Sequence, residues 1–138
     1  MKRFGIGILA VTAFCFATAA WAHHSAAGID QTKTVTVEGT VKQFKWANPH
    51  SWIEMEVQNK SGATETWNLE MNPPSFLIRA GWKSTTIKPG DRIKVTARPF
   101  KNGDPGGLFV NITMPDGRVL GNNAPRGQGP ATPVYEPK

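Results

Sequence analysis

The three histidines of the chain have the residue type and the positions best suited to metal chemistry. His23 and His24 directly follow an apolar segment, and His50 follows the dipeptide Asn48-Pro49. Imidazole nitrogen is the commonest neutral metal ligand in proteins. A free α-amine, with a pKa near 8, can lose its proton and bind the same metal ion as a second ligand. If the working protein begins at His23, the amine and the ring of that residue form a bidentate chelate.

Residues 1–22 have the three-part pattern of a secretory signal peptide. The segment starts with two basic residues, the stretch Phe4–Ala20 is apolar and uncharged, and Ala20-Trp21-Ala22 places small residues at the two positions that signal peptidase reads. We predict cleavage before His23, a periplasmic or secreted protein, and no membrane association after cleavage.

Two alternatives stay open for this segment. An apolar run of about 17 residues is at the lower limit for spanning a bilayer, so an uncleaved anchor is the first. The second is another cut, after Ala19, after Ala20 or before Ala22. A cut before Ala22 would leave Ala22-His23-His24, with histidine third, the terminal motif that binds Cu(II) or Ni(II) in a square plane.

Cleavage would change the composition of the chain in two ways that matter for function. Removal of residues 1–22 from the 138-residue chain leaves 116 residues, enough for one domain, and lowers the net charge from +6 to +4. The only cysteine, Cys15, is lost with the leader, so disulfides and thiolate metal sites are excluded. The chain has no cluster of lysine and arginine residues, so we do not expect nucleic acid as a partner.

Five stretches of the mature chain alternate apolar and polar residues as half-buried strands do. We predict strands over 34–46, 51–58, 64–71, 92–97 and 108–114, a helix over 73–82, and a short last strand over 118–120. The strand residues predicted to share one core include Val37, Val41, Ile53, Met55, Leu69, Ile93, Val95 and Val110. Leu108 is predicted to face inward with them.

The order of these elements predicts an all-β fold, a small OB-like Greek-key barrel of five strands with one short helix between strands 3 and 4. The alternation in the first strand changes phase around Lys42-Gln43, which is typical of a β-bulge and bends the strand. A β-sandwich is the alternative. The predicted domain map is a signal peptide (1–22), an arm (23–33), the barrel (34–120) and a disordered Pro/Gly-rich tail (121–138).

The histidines together suggest a copper site. The turn that holds His50 can lie near the incoming arm, so His23, His24 and His50 could converge on one ion, and nitrogen ligands in tetragonal arrangement favour copper. The alternative is that the terminal histidines are exposed and that His50 is a turn residue bonded to backbone.

Two tryptophans define a second candidate surface. Trp46 and Trp52 flank the turn that contains Asn48, and together with the nearby Lys42 and Lys45 they could form a stacking face. OB-folds use such aromatic side chains to stack oligomeric ligands such as a glycan, a peptide or a nucleic acid. The alternative is that the two rings close the barrel end.

The sequence contains no recognisable set of acid, base and nucleophile for catalysis. Glu54 and Glu56 form the one pair of carboxylates considered, and because both point outward from a strand we interpret them as solvated surface residues. We therefore expect a binding protein and no enzyme.

Several short motifs occur together in the chain: "AHHS" after the leader, "WANPHSW", "NLEM" before "LIRAGW", "KPGD" and "MPDGR". In this combination the chain, from about Ala22 to Leu120, resembles the domain-of-unknown-function family numbered 6152, whose members are small exported bacterial proteins. The resemblance implies export and a single β-domain, with His23, His24 and the Asn48-Pro49-His50 turn as family features. It implies no activity.

Overall fold

The computed structural model describes residues 27–124 and 134–135, and the folded part is built almost entirely of β-strands. Across these residues, no helix combines the length and the apolar character needed to cross a membrane. The elements are β1 (Val35–Lys45), β2 (Trp52–Gln58), β3 (Thr64–Glu70), α1 (Pro74–Arg79), β4 (Arg92–Pro99), β5 (Gly106–Thr113), β6 (Arg118–Gly121) and β7 (Val134–Tyr135).

The first five strands form a closed barrel. They hydrogen-bond in the order β3-β2-β1-β4-β5, and a parallel pairing of β3 with β5 closes the sheet on itself. With α1 between β3 and β4, this is the OB-like Greek-key arrangement predicted from the sequence. β6 and β7 continue the sheet beyond β5.

The bend in β1 is a bulge at the predicted place. The pairing of β1 with β2 shifts by one residue between Val41 and Gln43, so that Val41 and Phe44 both face the interior. A close approach precedes the bulge, because a Cβ atom on Gly39 would lie 2.1 Å from the carbonyl oxygen of Glu56. Glycine therefore lets β2 cross β1 at a distance that any side chain would prevent.

The core contains most of the strand residues predicted for it. Leu69 is buried and Trp67 packs against the core, whereas the neighbouring Thr66 and Asn68 are exposed, which confirms the predicted register of β3. Val37 is half-buried against the core. The confirmed buried residues are Val41, Ile53, Met55, Leu69, Ile93 and Val95.

The prediction for the first half of β5 is wrong. Leu108 and Val110 are only half-buried, and Phe109 between them is 1% exposed. The reason is a second bulge: Thr96 pairs with Asn111 but Ala97 pairs with Phe109, so Val110 has no partner on β4. The extra residue reverses the side-chain alternation ahead of it.

Helix α1 is shorter than the predicted span 73–82. It ends at Arg79, and Gly81, with a φ of 92°, turns the chain in a Schellman-type cap in which the Trp82 amide donates to the Leu77 carbonyl at 3.0 Å. Leu77 and Trp82 are buried, so the helix and its cap complete one end of the core.

Both ends of the described chain pack against the barrel. Ile29 of the arm is buried and bridges to Phe100, just beyond β4. Beyond the predicted boundary at residue 120, Asn122 is buried and hydrogen-bonded, and Val134–Tyr135 pair with β6. The predictions for residues 1–26, 125–133 and 136–138, which include the signal peptide and most of the disordered tail, lie outside the described residues.

Candidate functional site

His50 forms a pair with a carboxylate that was not predicted from the sequence as a site residue. Its Nδ1 atom contacts Oε1 of Glu70, the last residue of β3. The carboxylate side chain is only 9% exposed, whereas the imidazole is 41% exposed. A ring held through Nδ1 by a carboxylate has a defined orientation and presents Nε2 as its free nitrogen.

Backbone and side-chain bonds of Ser51 hold the loop that carries His50. Ser51 is fully buried, its carbonyl accepts from the Met71 amide at 2.8 Å, and its hydroxyl donates to the Ala47 carbonyl at 3.4 Å. The first contact extends the β2–β3 ladder beyond Trp52 and Glu70. Because the ladder fixes the residue after His50, the imidazole is placed beside the end of β3.

A small cavity of about 180 Å³ lies between this loop, the end of β3 and the N-terminal arm. The arm is fixed there by two backbone bonds: the Asp30 amide donates to the Pro99 carbonyl at 2.9 Å, and the Lys101 amide donates to the Gly28 carbonyl at 2.9 Å. The chain that leads back to the N-terminus is therefore attached next to the histidine. The cavity is lined by Ile29, Gln31, His50, Glu70, Met71, Asn72 and Leu108.

The other predicted metal ligands, His23 and His24, lie outside the described residues. Across residues 27–124 and 134–135, no group of three or more histidine, cysteine, aspartate or glutamate side chains converges. His50 and Glu70 are two such side chains that do lie in contact. They provide one free imidazole nitrogen and the carboxylate that orients it.

The structure does not bring the predicted tryptophans onto one surface. Trp46 packs against the core, with its ring centroid 5.7 Å from that of Phe44. Trp52 is on the outer face, as its parity in β2 predicts, opposite Lys45 of β1. Asn48, in the turn between them, is exposed.

Trp52 instead lines a second depression, on the outer face of β1, β2 and β3. This depression, the Trp52 groove, has a volume of about 320 Å³ and is lined by Gln43, Lys45, Trp52, Glu54 and Asn68. Of these five residues, Trp52 and Lys45 belong to the stacking face predicted from the sequence. The other three could have been found from strand parity, because each occupies an outward position in its strand.

Comparisons with known proteins identify the family. No curated protein and no solved structure matches the chain. One family model, described as a family of unknown function (DUF6152), matches residues 11–110, and its span covers the histidine turn and four barrel strands. The match agrees with the resemblance in the short motifs, and the chain belongs to the family DUF6152.

Proposed function

We propose that this protein is exported, is cleaved before His23, and binds Cu(II) through its new N-terminus together with His50. The role is one of binding rather than catalysis, in the periplasm or outside the cell. The observation that carries the proposal is the His50–Glu70 pair beside the anchored arm. Metal-binding histidines commonly donate their second ring N–H to a carboxylate, which fixes the tautomer and raises the basicity of the ligating nitrogen.

Chain length supports a shared site. Gly28 is the fifth residue after His23, and its carbonyl is bonded at the edge of the barrel. An extended chain spans at most about 3.6 Å per residue, so the mature terminus is restricted to about 18 Å from that anchor. The anchor adjoins Ile29, which lines the same cavity as His50. The covalent geometry thus allows the terminal amine, His23 and His24 to reach the His50 ring.

The donor types favour copper over other divalent ions. A mature chain without cysteine offers an amine and three imidazoles as its nitrogen donors. Nitrogen ligands suit Cu(II), which also binds most tightly among the first-row divalent ions. Protons compete for the same nitrogens, so binding weakens as the pH falls.

Calorimetry of Cu(II) binding tests the proposal, with free glycine as a competing chelator. The protein that starts at His23 is compared with a form that carries Gly-Ser ahead of it, and with His50→Gln and Glu70→Gln. We expect the extension and His50→Gln each to weaken binding at least about tenfold, and Glu70→Gln to weaken it by about 10–100-fold. Asn48→Ala, an exposed change in the same loop, is the matched control and leaves the affinity unchanged.

Each variant separates one part of the proposal. Equal affinity for the free and extended termini contradicts the amine chelate. An effect of the extension without an effect of His50→Gln contradicts the shared site and leaves a chelate at the terminus only. If neither change weakens binding, copper binding is not the function of these residues.

A further inference from the structure

The Trp52 groove combines an aromatic ring with two amides and two charged side chains on a sheet face. The strand register aligns these residues in two rows across β1, β2 and β3. Lys45 is opposite Trp52 in the first row, and Gln43, Glu54 and Asn68 form the second row. Side chains two residues apart on a strand point to the same face, so both rows face outward.

The polar groups of the groove include both donors and acceptors. Gln43 and Asn68 are both exposed, so their side-chain amides are accessible to a ligand. Each amide can donate through its nitrogen and accept through its oxygen. Glu54 adds acceptor oxygens, and the Lys45 ammonium adds donors. A ligand that fits must itself both donate and accept, as a hydroxyl group does.

The charges of the face largely cancel. Lys42 is paired with Glu54, with Nζ 2.6 Å from Oε1, and this hydrogen bond raises the pKa of the lysine. The two charged side chains that line the groove, Lys45 and Glu54, carry opposite charges. A surface without excess positive charge does not attract a polyphosphate backbone, because affinity for nucleic acid depends on neutralising its phosphates.

From this combination we infer that the Trp52 groove binds an uncharged oligosaccharide, with a sugar ring stacked on the Trp52 indole. The apolar C–H face of the sugar packs on the ring, and its hydroxyl groups exchange hydrogen bonds with Gln43, Asn68 and Glu54. The β2–β3 face is also the surface with which OB-folds bind oligosaccharides and oligonucleotides. The inference does not depend on the proposed copper site, although Trp52 and Glu70 are cross-strand neighbours.

The test is binding of the protein to an array of uncharged hexose and N-acetylhexosamine oligomers, in EDTA so that no metal contributes. Each positive oligomer is then measured by calorimetry. We expect at least one class of oligomer to bind, and Trp52→Ala to weaken that binding at least about tenfold, as truncation of a central tryptophan does at other interfaces. Asn68→Ala, which removes an exposed amide, is expected to weaken it less.

Two controls make the result specific to the groove. Phe76→Ala removes an aromatic side chain that is 47% exposed on α1, outside the groove, and leaves the affinity unchanged. A twelve-nucleotide oligo-dT tests the nucleic-acid alternative. The inference is overturned if no oligomer on the array binds, if Trp52→Ala binds as well as the unchanged protein, or if oligo-dT binds more tightly than every sugar. Because EDTA is present throughout, these outcomes say nothing for or against copper binding.

Discussion

Replacement of Asn122 by alanine is expected to destabilise the barrel strongly, although the residue lies beyond the domain boundary predicted from the sequence. Asn122 is 8% exposed, and its side chain joins two separate parts of the fold. Its Oδ1 accepts from the Asn72 amide at 2.8 Å, and its Nδ2 donates to the Phe109 carbonyl at 3.1 Å. The first bond holds the loop that follows β3 and the second reaches the middle of β5.

The size of the effect follows from the two groups left without a partner. A buried donor or acceptor that loses its partner costs about 1–3 kcal/mol. The Asn72 amide is part-buried and the Phe109 carbonyl is buried, so we expect a loss of about 2–4 kcal/mol in the free energy of unfolding. A domain of this size has about 5–15 kcal/mol in total, so the variant should remain folded but with a much lower urea midpoint.

The adjacent asparagine provides the matched control. Asn123 accepts from the Asn72 side chain at 2.7 Å, but that hydrogen bond is exposed to water, which can replace it. We expect Asn123→Ala to cost about 0.5 kcal/mol or less. Urea unfolding followed by tryptophan fluorescence measures both variants. Equal losses for Asn122→Ala and Asn123→Ala, or a loss below about 1 kcal/mol for the first, would refute the argument from buried hydrogen bonds.

Three further predictions concern other parts of the molecule. Gly39→Ala should lower the unfolding free energy by about 3 kcal/mol or more in urea, because its Cβ would lie 2.1 Å from the Glu56 carbonyl oxygen; an unchanged midpoint would contradict that close approach. Backbone and side-chain hydrogen bonds from Arg118 lower the pKa of Asp116, so this carboxylate adds stability above its unfolded pKa and loses it as the pH falls through the lower folded value. An NMR titration of the Asp116 carboxyl carbon should show the low midpoint, and Arg118→Ala should raise it only part of the way, since the backbone bond remains; no rise at all would exclude the side chain as a cause. Finally, Glu70→Gln should unfold at a urea midpoint close to that of the unchanged protein while its copper affinity falls, and a parallel loss of both would indicate a structural role alone.

The bend in the first strand of the barrel could be predicted because the bulge that causes it changes the pattern of apolar residues in the sequence. In β1 the apolar residues change parity between Val41 and Phe44, and a bulge is the simplest cause. In β5 the corresponding signal is hidden, because Leu108, Phe109 and Val110 are all apolar and either phase could face inward. Pairing with β4 decides the phase, and that is a tertiary contact.

The candidate site could be predicted only in part for the same reason. The position of His50 beside the arm follows from the order of elements in an OB-like barrel, and the structure places the arm residue Ile29 in the same cavity. Glu70 could not be identified, because its contact with His50 depends on how β3 ends opposite the β1–β2 loop. The separation of Trp46 and Trp52 was implied by the alternation of side chains, because Trp46 continues the inward phase of Phe44 and Trp52 occupies an outward position of β2. Their nearness in sequence nevertheless suggested a shared surface.

Pulsed electron paramagnetic resonance of the Cu(II) complex tests the central claim most directly, because it detects the remote nitrogen of each coordinated imidazole. The protein that begins at His23 is loaded with one equivalent of Cu(II) and compared with His50→Gln. If the terminus and the turn share one ion, the unchanged protein shows remote-nitrogen modulation from more than one imidazole, and its depth falls in His50→Gln. Identical modulation in the two proteins would show that His50 does not bind the metal and would contradict the shared site.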